Sequence, residues 1–208
     1  MRCIIITAYV DGGLREMYTP RKDDLVLCAD GGYAHAKAAG IRPALVIGDL
    51  DSAKGTAIPP DLLLRVPVEK DDTDTMLCVK KAIECGCTEC LILGGIGGRL
   101  DHTLANIQTL GFAEENGLPC ELRGAHDRAF LLTDDEISLP REDCVSLSLL
   151  SFTEQCVGVT TSGVKYPLTG AVITETLPMA VSNSFTGPEA HIAVKRGTLL
   201  IVLSKLNR

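Results

Sequence analysis

The stretch Ala44-Leu45-Val46-Ile47-Gly48-Asp49-Leu50-Asp51-Ser52 most constrains the fold, because an apolar, β-rich run stops abruptly at two carboxylates one residue apart. A continuous apolar run of this length reads as a strand covered on both faces. Open parallel sheets built from such strands bind ligands where the strands' carboxyl ends spill into loops. Gly48 lets a backbone or a ligand approach closely there. Asp49 and Asp51 offer hard oxygens of the kind that hold Mg²⁺ together with phosphate oxygens and water. Asp and Ser are equally ordinary residues of a solvated turn, and this segment alone leaves both readings open.

The same form recurs along the first half of the chain. Met1 to Thr7 is a predicted strand followed by a turn at Asp11-Gly12-Gly13, and Asp24 to Ala29 is a second strand that ends in Asp30-Gly31-Gly32. An Ala-rich helix over Tyr33 to Ala39 is stopped by Gly40, a common residue just past a helix end. Leu62 to Val66 is followed by Glu69-Lys70-Asp71-Asp72-Thr73-Asp74-Thr75 and then by Met76, Leu77, Val79, Ala82 and Ile83 at helical spacing. One or two acids suit a helix start. Three aspartates within four positions exceed that need, so Asp74 is expected to face the same cleft as Asp49 and Asp51.

Glu89 to Leu93 forms the next strand and opens into Gly94-Gly95-Ile96-Gly97-Gly98-Arg99-Leu100-Asp101-His102. Leu104, Ile107, Leu110 and Phe112 then form the expected apolar stripe of a helix that closes near Gly117. Glycines between a strand and a helix start offer backbone N–H donors to phosphate oxygens, and Arg99 adds a planar fork for the same anion. With no Gly-Lys-Ser/Thr and a different spacing, the loop is neither a P-loop nor a dinucleotide fingerprint. His102 caps the helix, bonds Asp101 or touches a ligand.

From about Pro119 helical spacing disappears. Short β-rich runs follow at Cys120–Leu122, Ala129–Leu132, Val145–Phe152, Val157–Thr161, Ala171–Thr174, His191–Lys195 and Leu199–Leu203, the pattern of an antiparallel sandwich or barrel. Two domains are therefore expected, 1–126 and 127–208. Thr161 to Leu168 and Val181 to Ser184 read as loops carrying small polar groups and one aromatic, Tyr166.

A net charge of −7 argues against non-specific nucleic-acid binding and suits an anionic substrate that arrives with a metal. The opening apolar run is too short for a signal core or a membrane span, and no other stretch reaches spanning length, so a cytoplasmic location is expected. The nine cysteines are scattered among apolar neighbours, as reduced thiols would be. Cys85, Cys87 and Cys90 have a spacing that would suit zinc or an iron–sulfur cluster only with a fourth ligand from elsewhere, which disfavours that reading.

Taken together, Ala29-Asp30-Gly31-Gly32, Gly48-Asp49-Leu50-Asp51-Ser52, Asp71-Asp72-Thr73-Asp74, Gly98-Arg99-Leu100-Asp101-His102 with Leu104-Ala105-Asn106, Ser162 to Leu168, and Ser182-Asn183 resemble one family across nearly the whole chain, thiamin pyrophosphokinase. The resemblance implies an α/β amino-terminal, Rossmann-like domain with a mostly parallel sheet, followed by an all-β sandwich domain. It implies a homodimer and transfer of the β,γ-diphosphate of ATP to the thiamin hydroxyl, with Mg²⁺ as cofactor. Asp49, Asp51 and Asp74 match the metal-holding carboxylates and, with Arg99, the catalytic set. Asp30, Gly31, Gly32, Ser52, Asp71, Thr73, Gly94, Gly95, Arg99, Asp101 and His102 match the part that handles ATP. Ser162, Tyr166, Ser182 and Asn183 match the part that holds thiamin at the dimer interface. Family members often carry tryptophan where this chain has Tyr166, and either ring can stack on a pyrimidine.

Three other readings compete. A pyrophosphokinase for a different heteroaromatic alcohol, such as a pterin, keeps the chemistry and changes the acceptor. A non-catalytic Mg·ATP sensor would not need so many carboxylates. A purely structural protein would not concentrate glycine and charge at strand ends.

Overall fold

Short runs of branched apolar residues, each ending at glycine or aspartate, form the centre of the amino-terminal half. The computed structural model describes residues 1–48, 57–65 and 71–206, in two units, Met1–Ala125 and His126–Arg208. Asp49, Asp51 and Ser52 lie outside the described residues.

In the first unit β1 (Arg2–Ile6), β2 (Leu25–Ala29), β3 (Leu45–Gly48), β4 (Leu63–Arg65), β5 (Glu89–Leu93) and β6 (Cys120–Arg123) form a parallel sheet. Their order is β6-β5-β1-β2-β3-β4. Residues 3–6 of β1 are fully buried, as a central strand covered on both faces requires. The helices are α1 (Leu14–Met17), α2 (Gly32–Ala38), α3 (Asp74–Glu84) and α4 (Leu100–Glu115). Chain order runs outward from β1 through β2 and β3 to β4, then returns to β5 on the other side of β1. The reversal leaves a crevice above the carboxyl ends of β1 and β5, the usual ligand position in an open α/β sheet.

Close packing fixes several backbone positions around that crevice. A Cβ on Gly32 would lie 2.0 Å from the Ile6 carbonyl oxygen, so the start of α2 meets β1 only through a glycine. A Cβ on Gly48 would lie 2.9 Å from the Asp30 Cα, which binds the end of β3 to the end of β2. The face that α4 buries differs from the expected stripe. Asn106, Thr109, Leu110 and Ala113 are buried, whereas Leu104 is 53% exposed. The polar members of this face are satisfied locally: Asn106 Nδ2 donates to the Gly95 carbonyl at 3.0 Å, and Thr109 Oγ1 to that of Ala105 at 2.9 Å. Compact side chains with paired polar atoms let the helix sit close to its neighbours, which a row of large leucines would not.

The second unit holds β7 (Asp127–Thr133), β8 (Glu136–Pro140), β9 (Val145–Ser151), β10 (Gln155–Ser162), β11 (Ala171–Thr174), β12 (Ala180–Asn183), β13 (Glu189–Ala193) and β14 (Thr198–Lys205). One antiparallel sheet runs β12-β9-β14-β7 and the other β11-β10-β13-β8. Leu147, Leu149 and Ile201 from the first share a core with Val159, Ile173 and Ile192 from the second. Three strands correct the sequence expectation. Cys120–Leu122, grouped by pattern with the antiparallel runs, lies in β6 and pairs parallel with β5, its half-buried residues lacking the unbroken apolar run of the inner strands. Glu136–Pro140, unassigned by pattern, is β8, and Ala180–Asn183, expected as a loop, is β12. Among the described residues no helix is long and apolar enough to cross a membrane.

Candidate active site

A cleft of about 370 Å³ opens in the first unit above β1 and β5, with Thr7, Tyr9, Asp30, Thr73, Asp74, Arg99, His102 and Asn106 among its lining residues. Asp30 follows β2 with φ at +44°, an uncommon backbone for a residue with a side chain. Its N–H donates to the Ile47 carbonyl at 2.8 Å, and the residue is only 4% exposed. A carboxylate so withdrawn from water, at the mouth of a cleft, suits a site that handles cations or hydrogen-bond donors.

Asp74 begins α3 and is half-buried in the same lining. Thr73 precedes it as the helix cap, its Oγ1 accepting from the Met76 N–H at 3.1 Å. The capping oxygen is thus committed, while the hydroxyl proton can still be donated to a ligand. Asp72 pairs with Lys80 at 2.6 Å, and Asp71 is exposed. The acidic run therefore divides its labour: Asp72 holds the helix's own lysine and Asp74 faces the cleft.

The glycine-rich loop does something other than expected. Its donors at Gly94, Gly95 and Gly97 are spent within the protein, on the Arg123 carbonyl at 2.9 Å, the Tyr9 carbonyl at 2.7 Å and Thr103 Oγ1 at 3.1 Å. Three of the loop's N–H groups are thus already paired. A Cβ on Gly94 would fall 2.3 Å from the Tyr9 carbonyl oxygen, and one on Gly95 would fall 2.4 Å from Asn106 Nδ2. The glycines make a rigid, internally bonded ledge. It presents Arg99 and the start of α4.

Arg99 forms a forked pair with Asp101, Nη2 to Oδ2 at 2.6 Å and Nε to Oδ1 at 3.1 Å. The Arg99 hydrogen bond holds the Asp101 carboxyl below its ordinary range. The same pair raises the guanidinium of Arg99. Both groups are exposed, and exposed pairs are weak, so a polyphosphate can draw the fork away at small cost. Asp101 Oδ1 also accepts from the His102 N–H at 2.9 Å, which orders the first turn of α4. Gly31 is the residue before α2, in ordinary helical backbone, and Gly32 packs on β1, so Gly32 owes its identity to the fold around Asp30.

A smaller pocket of about 120 Å³ lies in the second unit, lined by Leu147, Leu149, Tyr166, Met179, Val181 and Asn183 among others. The Asn183 side chain accepts from the Tyr166 N–H at 3.0 Å and donates to the Tyr166 carbonyl at 2.8 Å. Ser182 sits in β12 with φ at +62°, its N–H donating to Ser148 Oγ at 3.0 Å. Ser162 ends β10 and is exposed. Tyr166 and Asn183 line this pocket, while Ser162 and Ser182 are not among the residues that line it.

Residues 18–122, just over half the chain, match the family model described as thiamin pyrophosphokinase, catalytic domain. The chain belongs to the thiamin pyrophosphokinase family. Residues 135–199 match that family's vitamin B1 binding domain. A thiamine pyrophosphokinase of Bacillus subtilis is 27% identical over 181 residues, 84% of this chain and 85% of that one. The crystal structure of thiamine pyrophosphokinase from that organism superposes with a TM-score of 0.85 at 25% identity, covering 99% of each chain. That of Geobacillus thermodenitrificans gives 0.79 at 25% identity, over 98% of this chain and 97% of that one.

Within this family frame, sequence reasoning missed Tyr9 as part of the cleft, and quoted Asn106 within a family motif without giving it a role. Tyr9 stands in a turn with no pattern of its own, and Asn106 sits on a helix face expected to be apolar. The cysteines carry no comparable site. Cys3, Cys90 and Cys120 stand in register on β1, β5 and β6, and all nine are free thiols. Burial pushes the Cys87 thiol up to about 11. Among the described residues no group of three or more side chains is arranged to hold a metal ion.

Proposed function

We propose that this chain transfers the β,γ-diphosphate of ATP to the hydroxyl of thiamin, giving thiamin diphosphate and AMP. The observation that carries the reading is the meeting of Asp30, Asp74 and Arg99 in one cleft at the chain-order reversal, in a chain whose two halves match the catalytic and vitamin B1 binding models. The amino-terminal sheet then works in Rossmann-like fashion, as the ATP-binding catalytic domain. The carboxy-terminal sheets form the thiamin-binding, dimerising sandwich domain.

The donor chemistry fits Mg²⁺. Asp30 and Asp74 bring hard carboxylate oxygens to the cleft, and Gly48, directly before Asp49, packs against Asp30. Asp49, Asp51 and Asp74 would hold the ion, which when bound supplies positive charge against the polyphosphate. Arg99 leaves Asp101 to take up charge on the transferred diphosphate, and His102 and Thr73 bound the same space. Asp30 accepts hydrogen bonds from the nucleotide, with Gly31 and Gly32 holding its backbone. Displacement at phosphorus depends chiefly on such positioning and electrostatics. The ledge fixed by Gly94 and Gly95 holds the backbone from which Arg99 reaches the diphosphate.

In the second unit Tyr166 stacks on the acceptor's pyrimidine, with Ser162, Ser182 and Asn183 around it. Tyr166, Met179 and Val181 border one pocket and are 62%, 50% and 47% exposed. So much exposed apolar surface at a single site supports coverage by a second copy, with thiamin at that interface. A cytoplasmic setting agrees with nine free thiols. Chromatography after incubation with Mg·ATP and thiamin tests the proposal: AMP and thiamin diphosphate in equal amounts support it, and ADP with thiamin monophosphate contradicts it.

A further inference from the structure

Tyr9 follows β1 and stands over the crevice between β1 and β5. Its carbonyl oxygen accepts from the Gly95 N–H at 2.7 Å and lies 2.9 Å from Thr7 Oγ1, so the backbone is held at two points. Its ring rests on the glycine-rich ledge. A Cβ on Gly98 would come within 2.9 Å of the ring carbons, and one on Gly97 within 3.3 Å. Those two glycines are therefore the space in which the ring lies. With one side seated on the ledge, the residue stays 44% exposed and lines the cleft.

The rest of the lining is of two kinds. Asp30, Asp74, Arg99 and His102 are polar or charged and suit a polyphosphate with its cation, whereas Ala8, Ala29 and Ala105 are too small to cover a planar ring. Among the described lining residues Tyr9 is the one phenolic ring. A nucleotide has an anionic end and a flat apolar end, and the flat end needs a rigid surface to rest on.

We infer that Tyr9 is the nucleoside wall of this cleft, its exposed ring face contacting the base of the bound nucleotide while Arg99 and the carboxylates handle the phosphates. The inference rests on the ATP-dependent reading above, and it adds the residue that makes the site select a nucleotide over a bare polyphosphate. The two glycines then serve base recognition indirectly, by seating the ring.

Calorimetric titration with Mg·ATP and with Mg·tripolyphosphate, which lacks base and sugar, tests this without any acceptor present. Tyr9→Phe should bind both as the wild type does. Tyr9→Leu, which keeps an apolar side chain over Gly98 without a flat ring, and Tyr9→Ala should each weaken Mg·ATP about tenfold, the scale of one base–aromatic stack, and leave Mg·tripolyphosphate within about twofold. Parallel loss of both ligands would overturn the inference, because the ring would then only prop the ledge. Unchanged Mg·ATP binding in Tyr9→Leu and Tyr9→Ala, or wild-type protein that does not bind Mg·ATP, would overturn it as well. Thiamin turnover by wild-type protein is read separately, so failure of the diphosphotransfer reading is distinguishable from failure of this one.

Discussion

The Asn183 carboxamide closes a ring with the backbone of Tyr166, accepting from its N–H at 3.0 Å and donating to its carbonyl at 2.8 Å. Both ends of the amide are thereby engaged by a segment 17 residues away, and Tyr166 is left 62% exposed, with Lys165 Nζ 5.3 Å from its ring centre. On the proposed reading, Asn183 would act on the acceptor through Tyr166, as a positioning residue.

Tyr166→Ala is expected to raise KM for thiamin about fivefold or more, since an aromatic stack contributes roughly 1 kcal/mol beyond its area. KM for ATP should hold. Asn183→Ala should raise the thiamin KM in the same direction, with a stability loss of about 1 kcal/mol or less for its exposed hydrogen bonds. The double variant should resemble Tyr166→Ala alone, because the two residues act as one unit. Steady-state kinetics on the three variants check this, and strictly additive effects would contradict it.

Gly48→Ala should cost about 1–3 kcal/mol of stability, the usual penalty for overpacking, because its Cβ would meet Asp30 at 2.9 Å. Gly86→Ala is the comparison: nothing lies within 4 Å of its Cβ position, but φ is +68°, so only backbone strain of about 1 kcal/mol is expected. Urea unfolding measures both. Only the Gly48 variant should also lose turnover, since it displaces Asp30.

Asp24 gives a pH-dependent prediction. Burial alone would raise its pKa, but the Arg2 hydrogen bond, with the Arg21 N–H and the two positive charges, outweighs this and leaves it lowered. Arg2 and Asp24 meet at 2.7 Å. A lowered folded pKa stabilises the protein above the unfolded value, about 3.9, and that stability is lost as pH falls through the folded value. The stability difference between wild type and Asp24→Asn should be constant above about pH 5 and close below about pH 4. Urea midpoints across pH check it; a difference that persists unchanged to acid pH would contradict it.

Asp74→Asn should lower kcat by about 10²-fold or more, a typical loss for one electrostatic group at a reacting centre, with thermal stability nearly unchanged. Rapid-quench or steady-state assays at saturating Mg²⁺ measure it. Asp72→Asn, which loses only the Lys80 pair, should stay within about threefold, as surface ion pairs are weak.

The central strands of the parallel half were legible because they are buried on both faces and so read as unbroken apolar runs, from Ile4-Ile5-Ile6 to Leu91-Ile92-Leu93, whereas the half-buried β6 read as one of the antiparallel runs. The antiparallel half was less legible. β8 buries only Leu139, and β12 has Ser182 at positive φ beside an exposed Val181, so neither carries strand alternation. At the cleft, Asp30 announced itself by following a strand, and Asp74 by a surplus of acid at a helix start. The glycines of 94–98 drew attention for a different reason from the one the structure gives, since they accommodate Tyr9 and Asn106. Such contacts join residues far apart in sequence, and no local pattern encodes them.

The most direct test of diphosphoryl transfer is to supply thiamin with Mg·ATP labelled at the β-phosphorus and follow the label. The account predicts that it appears in thiamin diphosphate, one equivalent for each AMP released. Label retained in ADP, with thiamin phosphorylated only from the γ position, would contradict it.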